Sequence, residues 1–164
     1  MNLYLMRHAV AAEPDENIED NQRPLTAKGL KKLGKIARNL EKLELEFDLI
    51  LTSPYLRARQ TAEVVAEALA IKKKQIIKSE NLTPLGFADK LVEEIHACGA
   101  VENLLLVGHE PFLSQLVGML LVGDASLGIE MKKAGLCKLS VEQLSYGRCA
   151  RIEWLLTPAQ LTAI

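Results

Sequence analysis

Arg7-His8, Ser53-Pro54-Tyr55-Leu56-Arg57 and Gly108-His109 are the places in this 164-residue chain where residue type and spacing could support chemistry. Two guanidiniums and two imidazoles, with few acids beside them, suit a dianion. Guanidinium binds phosphate through two parallel charge-assisted hydrogen bonds. A neutral imidazole nitrogen is already a nucleophile at pH 7, so a histidine among arginines can attack phosphorus. The set points to phosphoryl transfer through a phosphohistidine. Two arginines compete for the anion after Pro54, and spacing separates them. Arg59 has Glu63 four residues on, which predicts an ion pair along a helix. Arg57 has Gln60 and Thr61 at the equivalent positions, so no local carboxylate claims it. It also lies in the first helical turn, where free N–H groups favour an anion. Arg57 is the expected ligand.

These residues can meet only if the chain carries them to one edge. Asn2–Met6 reads as a buried strand, Ala11–Arg23 as a polar loop, and Thr26 as the cap of a helix. That helix has Leu25 and Leu30 as a hydrophobic staple and Leu30, Leu33, Ala37 and Leu40 as its core stripe. Phe47–Thr52 is a second strand, followed by Ser53 as N-cap and Pro54 as first residue of a helix lined by Ala58, Ala62, Val65 and Leu69. Gln75–Lys78 predicts a short strand, Asp89–Ala97 a helix and Asn103–Val107 a buried strand. Pro111 opens the next helix. Leu136–Val141 and Ala150–Leu156 predict two closing strands joined through Tyr146-Gly147. Strand and helix alternate over most of the length, which predicts an α/β fold with helices on both faces of a mainly parallel sheet. Ligands then bind at the carboxyl ends of the strands, where Arg7, His8, Arg57 and His109 fall.

Composition narrows the rest. Twenty basic and twenty-one acidic residues leave a net charge of −1, which offers no broad field for nucleic acid or an anionic membrane. The longest apolar stretch, Leu116–Gly123, is far too short to span a bilayer. The N-terminus lacks the basic and apolar regions of a signal peptide. Cys98, Cys137 and Cys149 are odd in number and have no metal-site spacing. A cytoplasmic, single-domain protein over 1–164, without metal or other cofactor, is expected.

The three motifs also carry a resemblance. Leu5-Met-Arg-His8, Ser53-Pro-Tyr-Leu-Arg-Ala-Arg-Gln-Thr-Ala62 and Val107-Gly-His109 resemble the signatures of the histidine phosphatase superfamily, which includes the phosphoglycerate mutases. Arg23-Pro-Leu-Thr26 with Gly29, and Leu82-Thr-Pro84, look like its small SixA-type branch of phosphohistidine phosphatases. The resemblance implies a phosphoglycerate mutase-like three-layer α/β/α sandwich, with His8 as nucleophile. It makes Arg7, Arg57 and His109 the groups that bind the phosphoryl oxygens, before water hydrolyses the phosphohistidine without a metal. Ser53 and Arg23 are secondary candidates for substrate binding. Ser53 is otherwise an N-cap whose hydroxyl lies near Arg57, and Arg23 is either exposed or holds the acidic Asp15–Asp20 loop across the site. The chain departs from the family at Ala9, where many members have glycine, and in its acid. Mutases and sugar phosphatases protonate the departing alkoxide with a carboxylic acid between the second and third motifs, where this chain offers Glu80 before Asn81-Leu-Thr-Pro84. General acid help is worth roughly 100- to 10,000-fold. A phosphoramidate, which leaves as imidazole, depends on it less. The expected substrate is therefore phosphohistidine on a protein such as a phosphorelay domain, reached across a shallow rim made by Ala11–Arg23 and Leu82–Asp89. The alternatives are a phosphatase or mutase for a small metabolite with Glu80 as acid, and a non-catalytic module that binds phosphate or a phosphoprotein.

Overall fold

A computed structural model describes all residues, Met1–Ile164. Six strands, β1 (Asn2–Arg7), β2 (Leu49–Thr52), β3 (Ile76–Lys78), β4 (Asn103–Gly108), β5 (Leu136–Val141) and β6 (Ala150–Leu156), form one sheet in the order β3-β2-β4-β1-β5-β6. The first four are parallel neighbours, and β5 and β6 add antiparallel to β1 and to each other. Central strands must be apolar on both faces. In β1, Tyr4 and Met6 enter one core cluster while Leu3 and Leu5 enter the other, and β4 divides Leu105 and Val107 from Leu104 and Leu106 in the same way.

The first cluster is closed by α1 (Ala27–Lys42), α2 (Leu56–Ala68) and α5 (Pro158–Ala163), the second by α3 (Ala88–Ala97) and α4 (Phe112–Val122). The result is the three-layer α/β/α sandwich. Thr26 caps α1 by accepting from the Gly29 N–H at 2.9 Å. The buried stripe of α1 runs through Gly29, Leu33, Ile36, Ala37 and Leu40, whereas Leu30, expected on it, is exposed. Only the first position of the stripe changes, to Gly29, which lies against the Val10 carbonyl where any β-carbon would collide. That contact explains a glycine that costs helix propensity.

Other boundaries also differ from expectation: α2 begins at Leu56, two residues after Pro54. Phe47 precedes β2 and packs edge-to-face on Tyr4 at 4.9 Å. Pro111 is the N-cap residue of α4 rather than its first residue. Helix α5 was not expected at all, although its capping box is explicit in Thr157-Pro158-Ala159-Gln160. It closes the first cluster with Leu161, whose carbonyl accepts from Asn39 Nδ2 at 2.8 Å.

The strand order places the site. After β1 the chain lays β2 and β3 outward, then returns to insert β4 between β2 and β1. Arg7 pairs in register with Gly108, and Thr52 with Val107. The residues that follow, His8, Ser53 and His109, therefore emerge side by side.

Candidate active site

An open cavity of about 310 Å³ at these strand ends is lined by Arg7, His8, Arg57 and His109, with Arg23, Lys133, Glu13 and Glu110 around them. The backbone beneath is clamped. His8 N–H donates to the Gly108 carbonyl at 3.0 Å, and Ala134 N–H donates to the carbonyls of Arg7 and His8. Thr61 Oγ1 accepts from Ala9 N–H at 3.1 Å and donates to the Arg57 carbonyl at 2.7 Å, tying the strand end to α2. The Ala9 methyl lies in the first core cluster, and Ala9 does not line the cavity, so the departure from glycine leaves the cavity's shape untouched.

His8 is buried. Its Nδ1 lies 2.7 Å from the Ala9 carbonyl, and Arg57 Nε–H donates to its Nε2 at 3.3 Å. This pairing assigns the ring proton to Nδ1 and the lone pair to Nε2, where Arg57 holds it at the cavity wall. Burial pushes the pKa of His8 down to about 3, against the Ala9 hydrogen bond and with the charges of Arg57, Arg7 and Lys133 adding to the fall. The ring is neutral at physiological pH.

His109 is also buried, with its ring centroid 5.0 Å from that of His8. Burial, then His8 and Arg57, push its pKa to about 3 as well. Its Nε2 lies 2.8 Å from Ser53 Oγ, which accepts from the Tyr55 N–H at 3.3 Å. With the serine O–H donating to Nε2, the ring proton falls on Nδ1, the nitrogen that is buried without a partner.

Ser53 does not cap α2, whose N-cap residue is Tyr55. It lies wholly buried behind His109, outside the cavity lining, and touches His109 rather than Arg57.

Arg57 lies under the Tyr55 ring, with its guanidinium carbon 5.0 Å from the centroid. The absence of a local carboxylate did not leave it free. Asp20, in a 3-10 turn (Asp20–Gln22) within the expected loop, accepts from Arg57 at 2.6 Å through its carbonyl and at 3.1 Å through its carboxylate. Arg23 holds the same carboxylate at 2.8 Å and reaches the Ala12 carbonyl at 2.6 Å. Of the two placements expected for Arg23, the loop-holding one is observed. Arg59 forms no ion pair with Glu63, and its Nε is buried without a partner.

Arg7 donates to the Met131 carbonyl at 2.9 Å and keeps a buried Nε without a partner. Glu80 is exposed in the 3-10 turn Glu80–Leu82 and does not line the cavity. The carboxylates that do are Glu13, on the rim, and Glu110, which accepts from Ser114 N–H at 3.1 Å in the first turn of α4.

Sequence reasoning placed Asp20 only in the loop that Arg23 holds, without its bonds to Arg57, and missed Lys133, Glu13 and Glu110. Asp20 carried a signal, an acid three residues before Arg23. Glu110 directly follows His109. Lys133 carried none, because the segment between Gly123 and Leu136 had no assigned element. No three His, Cys, Asp or Glu side chains come together to hold a metal ion.

The chain matches the histidine phosphatase superfamily (branch 1) over residues 3–89. It belongs to that superfamily. Within it the chain falls in the SixA branch. It is 32% identical over 126 residues to the phosphohistidine phosphatase SixA of Escherichia coli, covering 76% of each chain. It is 38% identical over 141 residues to an uncharacterised protein of Picosynechococcus, covering 85% of this chain and 84% of that one. Among solved structures, a protein histidine phosphatase SixA complexed with tungstate superposes with a TM-score of 0.86 at 26% identity, covering 98% and 99% of the two chains. An α-ribazole phosphatase from Shigella flexneri shares the fold at 17% identity, with a TM-score of 0.74 over 96% and 97%. Membership of the superfamily and of its SixA branch makes this chain a phosphatase. No helix is long and apolar enough to cross a membrane.

Proposed function

We propose that the chain hydrolyses phosphohistidine carried on a protein, within one catalytic domain spanning residues 1–164, with His8 as nucleophile. The observation that carries the proposal is the state of His8: neutral, protonated on Nδ1, with Nε2 unprotonated and held by Arg57 in the wall of a cavity that Arg7 and His109 also line. In this reading the Arg57 Nε–H leaves Nε2 for a phosphoryl oxygen, and the freed Nε2 lone pair attacks phosphorus as the N–P bond to the substrate imidazole breaks. That ring departs neutral, keeping the proton on its other nitrogen, and the positive charge passes to phospho-His8. The Nδ1–H bond to the Ala9 carbonyl stabilises it there. Arg7, Arg57 and the unpartnered Nδ1–H of His109 meet the three oxygens, where charge accumulates in transfer. Water then attacks phosphorus, releases phosphate and a proton, and restores neutral His8.

Two observations favour phosphohistidine. The cavity is open, which suits a side chain displayed on another protein. Glu80, the acid expected for an alkoxide, stands outside it. The tungstate bound by the related SixA is an oxyanion of phosphate-like shape, in keeping with such a site. Residence in the cytoplasm belongs to the same proposal and suits three free cysteines. A second reading, hydrolysis of a small phosphorylated metabolite, draws on Glu13 at the rim as proton donor.

Purified protein in EDTA, given a phosphohistidine-bearing phosphotransfer domain beside a panel of sugar phosphates, separates the two. The expected result is rapid loss of label from the protein, with His8→Ala slower by on the order of 10⁴-fold or more. Turnover of a sugar phosphate alone, abolished by Glu13→Gln, would establish the metabolite reading instead.

A further inference from the structure

Leu85 and Phe87 are the most exposed large hydrophobic residues of the chain, at 86% and 66%. They stand immediately beyond Pro84, which lines the catalytic cavity. A loose loop could carry apolar residues without consequence, but this segment is held. Gly86 N–H donates to the Thr83 carbonyl at 3.0 Å, closing a turn with Pro84 and Leu85 at its corners. Gly86 lies so close on the Asn81 carbonyl that a β-carbon would collide with it. Asn81 Nδ2 and Ser79 Oγ both donate to the Glu94 carboxylate of α3, and Leu82 is wholly buried beneath. The fold thus holds Leu85 in water at the mouth of the site.

The loop Glu13–Asp20 carries Glu13, Asp15, Glu16, Glu19 and Asp20 and no base, and among these Asp20 alone has an ion-pair partner. A depression of about 310 Å³ around Ile18 and Asp15 shares Pro14 and Arg23 with the catalytic cavity. The mouth therefore joins an apolar turn, a cationic pit and an acidic loop in one continuous surface.

We infer that this rim docks the substrate protein. Leu85 and Phe87 seat against an apolar patch beside its phosphohistidine, and the Glu13–Asp20 loop faces lysines or arginines. The inference rests on the reading that the substrate is a phosphohistidine protein, and names the surface that partner presents. Continuity with the cavity identifies the occupant, since whatever places a phosphoryl group on His8 from a folded surface must cover the adjoining rim. Charge complementarity sets its polarity. Free phosphohistidine inside the cavity would not touch Leu85.

The test compares free phosphohistidine with a phosphohistidine-bearing phosphotransfer domain for the wild type, for Leu85→Ser/Phe87→Ser, and for Glu16→Lys/Glu19→Lys. Both double variants are expected to keep kcat/KM on the free amino acid within twofold. On the protein they should lose tenfold or more, chiefly through KM, and the wild-type KM for the protein should rise with salt. Equal losses on both substrates, or undiminished turnover of the protein by both variants, overturn the docking surface while leaving the phosphohistidine reading intact. A wild type active on the free amino acid and idle on the protein overturns the protein-substrate reading and the docking surface with it.

Discussion

Helix α2 presents an arginine to each of two cavities, and only one of them has the makings of a catalyst. The larger, about 550 Å³ between α2 and the edge strand β3, gathers Arg59, Lys73 and Lys78 beside Glu63 and Glu67. The smaller gathers Arg7, Arg23, Arg57 and Lys133 beside Glu13 and Glu110. Charge types scarcely differ. What differs is who holds the side chains. Lys73, Lys78, Glu63 and Glu67 are exposed ends of flexible chains, which lose entropy on ordering and face water that screens them. His8, Arg57 and His109 are buried, and the backbone beneath His8 is clamped by Gly108, Ala134 and Thr61. Folding has already ordered the donors that a transferring phosphoryl group would need, and that is where electrostatic catalysis has its strength.

The largest expected difference between the regions is kinetic. Arg57→Ala should lower kcat by about 100- to 1,000-fold, and Arg57→Lys should recover little, because an ammonium lacks the two-pronged geometry. Arg59→Ala should stay within twofold. Equal losses would make the comparison meaningless.

Next comes stability against pH. His8 and His109 have folded pKa values near 3, below the ordinary value of about 6.5. The unfolded chain therefore binds protons that the folded one refuses. The stability these rings contribute is complete above about pH 6.5 and is lost as pH falls toward 3. Between pH 7 and 5 each ring should remove roughly 1–2 kcal/mol from the unfolding free energy. Urea titrations at both pH values measure this, and His8→Asn/His109→Gln should flatten the dependence. Substitutions at Lys73 and Lys78 should leave it unchanged.

The smallest effect belongs to Asp20. Its carboxylate lies on Arg57 and Arg23, which hold its pKa below the ordinary value despite partial burial. Asp20→Asn removes a negative charge that competes with an incoming anion. Tungstate inhibition should tighten by about three- to tenfold, read as a lower inhibition constant. Weaker inhibition would mean instead that Asp20 chiefly aligns Arg57.

The same comparison marks what was legible in the sequence. Arg7-His8 and His109 could be placed because they end strongly apolar strands, and a parallel sheet brings its carboxyl ends together whatever the loops do. Arg57 was separated from Arg59 by helical spacing, yet both supporting arguments dealt in neighbours along the chain. The acid that holds Arg57 comes from thirty-seven residues away, and Arg59 left Glu63 unpaired. Ser53 shows the same limit. Its position suggested a cap, whereas in the fold it stands behind His109 from another strand. Helix α5 is a different case, since Thr157 and Gln160 carried the capping signal and it went unused.

By itself the sequence determined the alternation of strand and helix, the apolar strands that end in Arg7-His8, Ser53 and Gly108-His109, and thereby the edge at which the reactive types appear. These depend on local preference and periodicity, which act within a few residues. Tertiary structure alone decided that β4 enters between β1 and β2 so that the two imidazoles lie 5.0 Å apart. It also decided that Asp20 returns to Arg57, that Glu80 stays outside the cavity while Glu13 and Lys133 enter, and that burial keeps both histidines neutral. Burial, hydrogen-bond closure and the field of distant charges are properties of the assembled interior, and no stretch of chain contains them before it folds.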